Sequence, residues 1–169
     1  MTEAEFLALP ESCQGLELID GRVIVSPSPS FRHQKLLGRL ARALQTWIDV
    51  TRAPTTVAQS PLDVRFAPGR ILQPDAMVFD IVLPDDVRVP IDWIPMICIE
   101  VLSESAAHDR VTKRQIYAAT GVREYWIVDP TGSVEVCAGP KLTSSHLAVG
   151  VLHSALLPGF VLDLDAFFA

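Results

Sequence analysis

Short apolar stretches separated by turn residues occupy most of this chain, and their lengths predict many β-strands. The stretch LELIDGRVIVSP contains two strand-like runs around Asp20-Gly21, a dipeptide typical of tight hairpins. Further strands are predicted in TTVAQSPLDVRF, AMVFDIVL, DWIPMICIEVL, EYWIVD, VEVC and HLAVGVLHSALL. The tail LPGFVLDLDAFFA predicts a strand and then a short helix, and EAEFLALP predicts a short helix that ends at Pro10.

Two longer segments have the periodicity of amphipathic helices. The first covers residues 31 to about 50, and Ser30 precedes it as a candidate N-cap. The second runs from Ser105, another candidate cap, to Thr120, and Gly121 follows where a left-handed C-terminal residue belongs. This mixture of strands and helices predicts one α/β domain over residues 1–169, with a central mixed β-sheet flanked by helices.

The proportion of apolar residues indicates how deeply the sheet is buried and whether the protein self-associates. Of 169 residues, 49% are hydrophobic, and the mean hydropathy is +0.30, which favours a sheet buried on both faces and an oligomer interface. No apolar run approaches the ~20 residues of a membrane helix, and the acidic N-terminus does not resemble a signal peptide. Cys13, Cys98 and Cys137 are widely spaced and form no CxxC motif. We therefore expect a cytoplasmic protein that forms a homodimer or a higher homo-oligomer.

The net charge of −6 argues against a protein that coats nucleic acid regardless of sequence, because such proteins are basic. It does not argue against a nuclease, whose acidic residues can surround a cation site. Cations nevertheless outnumber acids between residues 21 and 52. Four of these cations share one face of the predicted helix, which is either a solvated face or a contact for phosphates: Arg32, Lys35, Arg39 and Arg42.

Two acids in apolar surroundings are the main candidates for chemistry. Asp75 precedes the run AMVFDIVL, and Glu100 lies near the end of DWIPMICIEVL. A buried carboxylate needs a partner or a metal, so either each acid is satisfied separately or the two share a cation. On the helix that follows, Lys113 lies on the same side as Ile116 and Tyr117, which directs it towards the sheet. Alternatively, Lys113 forms a simple ion pair with Asp109, four residues earlier.

Two carboxylates and a lysine are suited to hydrolysis of phosphodiesters. Carboxylate oxygens are hard ligands for Mg²⁺, which activates water and polarises the phosphoryl group. A neighbouring ammonium can orient the water or stabilise charge in the transition state. Without the metal, the two carboxylates would repel each other and raise one pKa. The histidines form no HxxxH pair, and GxSxG, GxxxxGK[ST] and GxGxxG are absent, so zinc, serine-hydrolase and nucleotide-binding motifs are not indicated.

Several segments together resemble one family. LELIDGRVIVSPSPSFRHQ, PDAMVFD, IEVLSESAAHDRVTKRQIYAATGVREYWIVDP and LPGFVLDLD resemble the Uma-type family of proposed endonucleases, of the restriction-endonuclease-like PD-(D/E)xK superfamily. The resemblance implies that fold, and it implies that Asp75 and Glu100 bind Mg²⁺ with the carbonyl of Val101. In the plain superfamily pattern, a lysine would stand where this chain has Leu102. The resemblance implies that Lys113 on the next helix takes its role.

The early acid of this family corresponds to Glu17, which the resemblance adds to the catalytic residues as a ligand or base. The leading hypothesis is thus an endonuclease that acts on DNA with Mg²⁺, for which Mn²⁺ can substitute. The catalytic set is Asp75, Glu100, Lys113 and Glu17. The alternative is a binding or assembly module without catalytic activity on the same fold, which the acidic pI of about 5.1 and the apolar content also suit.

Overall fold

The computed structural model describes residues 1–10, 15–103 and 107–169, and the side chains of these residues apart from 107–110. The predicted cap Ser105, the side chain of Asp109 and Cys13 lie outside this description. The helices are α1 (Glu3–Leu7), α2 (Phe31–Thr51), α3 (Ala107–Thr120) and α4 (Leu164–Phe168), and a 3₁₀ turn covers Pro140–Leu142. No helix in the described part of the chain combines the length and hydropathy needed to cross a membrane.

A six-stranded sheet forms the centre of the molecule, in the order β10-β9-β8-β7-β6-β3. Neighbouring strands are antiparallel except β7 and β8, which are parallel and joined through α3. The predicted central mixed sheet flanked by helices is therefore confirmed. Its strands are β3 (Thr56–Gln59), β6 (Ala76–Phe79), β7 (Ile97–Val101), β8 (Glu124–Asp129), β9 (Ser133–Ala138) and β10 (Ser144–Leu147).

A four-stranded antiparallel sheet lies on the other side of α3, in the order β2-β1-β5-β4. It contains the predicted hairpin, where Asp20 and Gly21 both have positive φ, as a tight two-residue turn requires. A separate two-stranded ribbon pairs β11 with β12. The strands of these sheets are β1 (Leu16–Ile19), β2 (Arg22–Val25), β4 (Val64–Ala67), β5 (Arg70–Leu72), β11 (Val151–His153) and β12 (Val161–Asp163).

The central sheet is buried on both faces because alternate residues of its strands enter different cores. On one face, residues such as Ile99 and Trp126 pack against the apolar stripe of α2. On the other face, Cys98 and Tyr125 join Ile116 and Tyr117 of α3. Side chains from β1, β4 and β5 pack in this second core, so α3 lies between the two sheets.

Helix α2 begins as the sequence predicts, because the Ser30 side chain accepts a hydrogen bond from the backbone N–H of His33. Three cations of its basic face bond to the C-terminal residues of the chain, while Arg42 of the same face is exposed. Arg39 donates to the carbonyl of Phe167 at 2.7 Å, Arg32 donates to that of Phe168, and Lys35 donates to that of Ala169. These three cations hold the C-terminal end of α4, whose last carbonyls have no partner within the helix.

Candidate active site

Asp75 and Glu100 lie side by side at one end of the central sheet. Strands β6 and β7 are antiparallel, and Ala76 pairs with Ile99. The same register, continued by one residue, sets Asp75 opposite Glu100, and opposed residues of a sheet have Cβ atoms about 5 Å apart. The side chain of Asp75 is 18% exposed and that of Glu100 is 12% exposed. Two carboxylates therefore share one poorly solvated position.

Glu100 alternates with Cys98 along β7, which directs its side chain towards α3. Its Oε1 accepts hydrogen bonds from Lys113 Nζ at 3.1 Å and from the Tyr117 hydroxyl at 2.8 Å. Burial raises the pKa of Glu100 to about 8. The ammonium of Lys113 opposes this shift, while Asp75 and Glu17 add to it. The expected repulsion between carboxylates is thus present, and burial is the larger cause.

Lys113 connects the two sheets through a pair of carboxylates. It is 5% exposed, and its Nζ lies 3.0 Å from Oε1 of Glu17 on β1 as well as 3.1 Å from Oε1 of Glu100 on β7. Glu17 is fully buried, and the same Oε1 accepts a hydrogen bond from the backbone N–H of Gln73 at 2.8 Å. The predicted inward direction of Lys113 is therefore correct, and Lys113 contacts both predicted glutamates.

Asp75 is held by two donors on a single oxygen. Its Oδ2 lies 3.0 Å from Nε2 of His33 and accepts the backbone N–H of Val101 at 2.8 Å. Nε2 donates in this contact when it carries the ring proton, because an ionised carboxylate can only accept. The absence of an HxxxH pair had indicated only that the histidines, His33 among them, form no zinc motif. The overlooked signal was a histidine in phase with Leu36, Leu37 and Leu40, on the buried stripe of α2.

The three carboxylates share a pattern of satisfied and unsatisfied oxygens. One oxygen of each accepts two contacts: Oδ2 of Asp75, Oε1 of Glu100 and Oε1 of Glu17. The other oxygen of each accepts no hydrogen bond from the described residues, and Oε2 of Glu17 is also fully buried. Asp75, Glu100, Val101 and Lys113 line a cavity of about 620 Å³, so both carboxyl groups border a space that can hold a ligand.

The donor set fits a magnesium ion that keeps much of its own hydration. Mg²⁺ in phosphate-processing sites is bound through one or two carboxylates, and water or substrate oxygens complete the octahedron. Asp75 and Glu100 supply those two carboxylates, and Val101 lines the same cavity. Among the described residues, no group of three or more histidine, cysteine, aspartate or glutamate side chains is arranged to enclose a metal. A site built from protein ligands alone, as for structural zinc, is therefore not formed by this part of the chain.

Comparisons with known proteins agree with this architecture. A crystal structure titled as "a putative nuclease belonging to DUF820", from Anabaena variabilis ATCC 29413, superposes with a TM-score of 0.81. That similarity covers 99% of this chain and 97% of the other at 22% identity, and it shows a shared restriction-endonuclease-like fold. The comparison with curated proteins gave no match. The model of the Uma2 family, described as "Putative restriction endonuclease", matches residues 3–165, and the chain therefore belongs to the Uma2 family.

Proposed function

We propose that this protein is a Mg²⁺-dependent endonuclease that hydrolyses phosphodiester bonds of DNA, with Mn²⁺ able to replace Mg²⁺. Its family and fold support a nuclease-like function in general. One observation supports the more specific proposal of metal-dependent hydrolysis. Asp75 and Glu100 line one cavity with Lys113, and each of these two carboxylates keeps an oxygen that accepts no hydrogen bond from the described residues.

In this proposal, Asp75 and Glu100 are the metal ligands, together with the carbonyl of Val101. The bound ion would polarise the phosphoryl group and lower the pKa of the attacking water. The His33 ring and the Val101 N–H hold Oδ2 of Asp75, so Oδ1 would be the oxygen that binds the metal. Glu100 has a pKa of about 8 in the metal-free protein, so it must lose a proton to bind a cation. Metal affinity should therefore increase with pH up to about 8.

Lys113 has two functions in this proposal. Its ammonium compensates the buried carboxylate of Glu17 at 3.0 Å, which keeps both side chains in place. It also lines the cavity beside Glu100, where it can orient the water or stabilise the negative charge that develops on the phosphoryl oxygens. Glu17 does not itself line the cavity. We assign it to positioning Lys113, in place of the ligand or base role that the family resemblance implied.

The test is a plasmid-nicking assay with Mg²⁺ or Mn²⁺, in parallel with Mn²⁺ binding by calorimetry. Asp75→Asn and Glu100→Gln should each lose metal binding and nicking, and EDTA should stop the parent protein. Asp86→Asn is the matched control, because Asp86 is an exposed acid on a loop and does not line the cavity. If the parent protein binds neither metal, the proposal is wrong, and the alternative of a binding or assembly module without catalysis gains support.

A further inference from the structure

The cavity needs a cation that is not already neutralised, because its substrate in the proposed function is a polyanion. Glu17 and Glu100 contact Lys113, and Asp75 lines the cavity with Glu100, so carboxyl groups outnumber the single lysine at this site. Among the described residues that line the cavity, the arginine and lysine side chains are Arg22 and Lys113. Lys113 is buried against Glu17 and Glu100. Arg22 is therefore the side chain to consider for substrate contact.

The register of the hairpin brings Arg22 to the catalytic face. On β1 and β2, Ile19 pairs with Arg22, and Glu17 pairs with Ile24. Because directly paired residues point to the same side of a sheet, these four side chains share one face. Ile19, Arg22 and Ile24 all line the cavity. The opposite face of the hairpin, which includes Leu18 and Val23, packs against Phe6 of α1.

Arg22 is also uncommitted in the described part of the chain. It is exposed, and it forms no hydrogen bond or ion pair with a described residue. The nearest acid in the hairpin, Asp20, is engaged with Arg70, which donates to both of its oxygens at 2.8 and 2.9 Å. An arginine that lies free beside an anionic site can bind a phosphate through two parallel N–H donors.

The cations of α2 are poorer candidates, although they are more numerous. Arg32, Lys35 and Arg39 donate to backbone carbonyls at the C-terminal end of the chain. Arg42 is exposed but lines a separate shallow depression of about 380 Å³ with Gln45 and other residues. To contact a phosphate, Arg32, Lys35 and Arg39 would have to give up these hydrogen bonds. A phosphate bound by Arg42 would lie outside the cavity that Asp75 and Glu100 line.

We infer that Arg22 binds a backbone phosphate of the DNA strand held in the cavity, next to the bond that is cut. This inference rests on the proposed function. Arg22 is thus a positioning residue for substrate, and it contributes to binding more than to the chemical step. Ile24, on the same face of the hairpin, lines the cavity beside Arg22.

The experiment measures binding of a fluorescein-labelled DNA duplex by anisotropy at several salt concentrations, with Ca²⁺ in place of Mg²⁺. The Mg²⁺-dependent nicking rate at saturating DNA is measured separately. Arg22→Gln should weaken binding about tenfold and reduce the slope of log K against log salt by about 0.9, the value for one phosphate contact. The nicking rate at saturation should stay within about twofold of the parent. Arg22→Lys should keep the salt slope, because the charge remains.

Arg42→Gln is the matched control, since it removes an exposed arginine outside the cavity and should change neither affinity nor slope. Equal affinity and slope for Arg22→Gln and the parent would overturn the inference while leaving the nuclease function intact. Equal losses for Arg22→Gln and Arg42→Gln would overturn it as well, because the effect would then reflect overall charge. If the parent neither binds nor nicks DNA, the proposed function itself fails.

Discussion

Replacing Lys113 with methionine removes the cation that lies between two carboxylates of different sheets. Methionine keeps most of the length and the helix propensity of lysine, so the main change is the loss of charge. The Nζ atom lies 3.0 Å from Glu17 and 3.1 Å from Glu100, and Lys113 is 5% exposed. We expect the metal-free protein to be destabilised strongly, because a buried carboxylate then has no counterion.

The size of this destabilisation depends on whether Glu100 or Glu17 can become neutral when Lys113 is removed. With a pKa of about 8, Glu100 is mostly protonated at pH 7 and leaves little charge unpaired. Glu17 has no exposed surface, one of its oxygens already lacks a partner, and its other oxygen loses the Lys113 contact. Removing one member of a buried ion pair costs about 3–5 kcal/mol. That is a large share of the about 5–15 kcal/mol by which domains are stable.

Urea denaturation at pH 7 in EDTA measures this cost. Adding Glu17→Gln to Lys113→Met should recover most of the lost free energy of unfolding, because the amide oxygen can still accept the Gln73 N–H while the buried charge is gone. Arg42→Met, which removes an exposed cation of α2, should change stability by less than about 0.5 kcal/mol. A cost below about 1 kcal/mol for Lys113→Met, or a further loss in the double variant, would refute the reasoning. Any activity measured for Lys113 variants must therefore be accompanied by a check that they are folded.

Three further predictions address pH, metal binding and assembly. Because burial raises the pKa of Glu100 from 4.5 to about 8, the stability that Glu100 contributes to the metal-free protein should be fully present below about pH 4.5 and should be lost as pH rises through 8. Thermal unfolding of Glu100→Gln should show a flatter pH profile, and a profile as steep as the parent's would contradict this. His33→Leu should weaken Mn²⁺ binding about 10- to 100-fold, because Asp75 loses the contact with the ring. His33→Gln can still donate to Asp75 and should retain more affinity. Calorimetry that gives both variants the affinity of the parent would exclude a role for His33 in metal binding. Light scattering should report at least twice 18.5 kDa, because the apolar side chains of Leu147 and Val149 are 62% and 86% exposed and would be covered in an oligomer. A monomer at micromolar concentration would refute this prediction.

Local patterns in the sequence were sufficient for most elements and for part of the site. The Asp20-Gly21 turn, the Ser30 cap and the stripe of α2 depend on residues a few positions apart, so they could be predicted directly. The direction of Lys113 also followed from helix phase, which is a local property. The resemblance to a family then drew attention to Glu17, which no local pattern distinguishes.

Contacts between distant segments required the tertiary structure. His33 and Asp75 are 42 residues apart, and Arg32 and Phe168 are 136 apart, so nothing in either neighbourhood specifies the other. The contacts of the basic face of α2 with the C-terminal residues could therefore not be predicted, because a row of cations has the same pattern whether it faces solvent, phosphate or the end of another helix. The sequence determines which residues are apolar, which are charged and which face of an element they share. Only the packing of two sheets around α3 decides that Lys113 lies between Glu17 and Glu100, because that meeting depends on long-range register and not on local propensity.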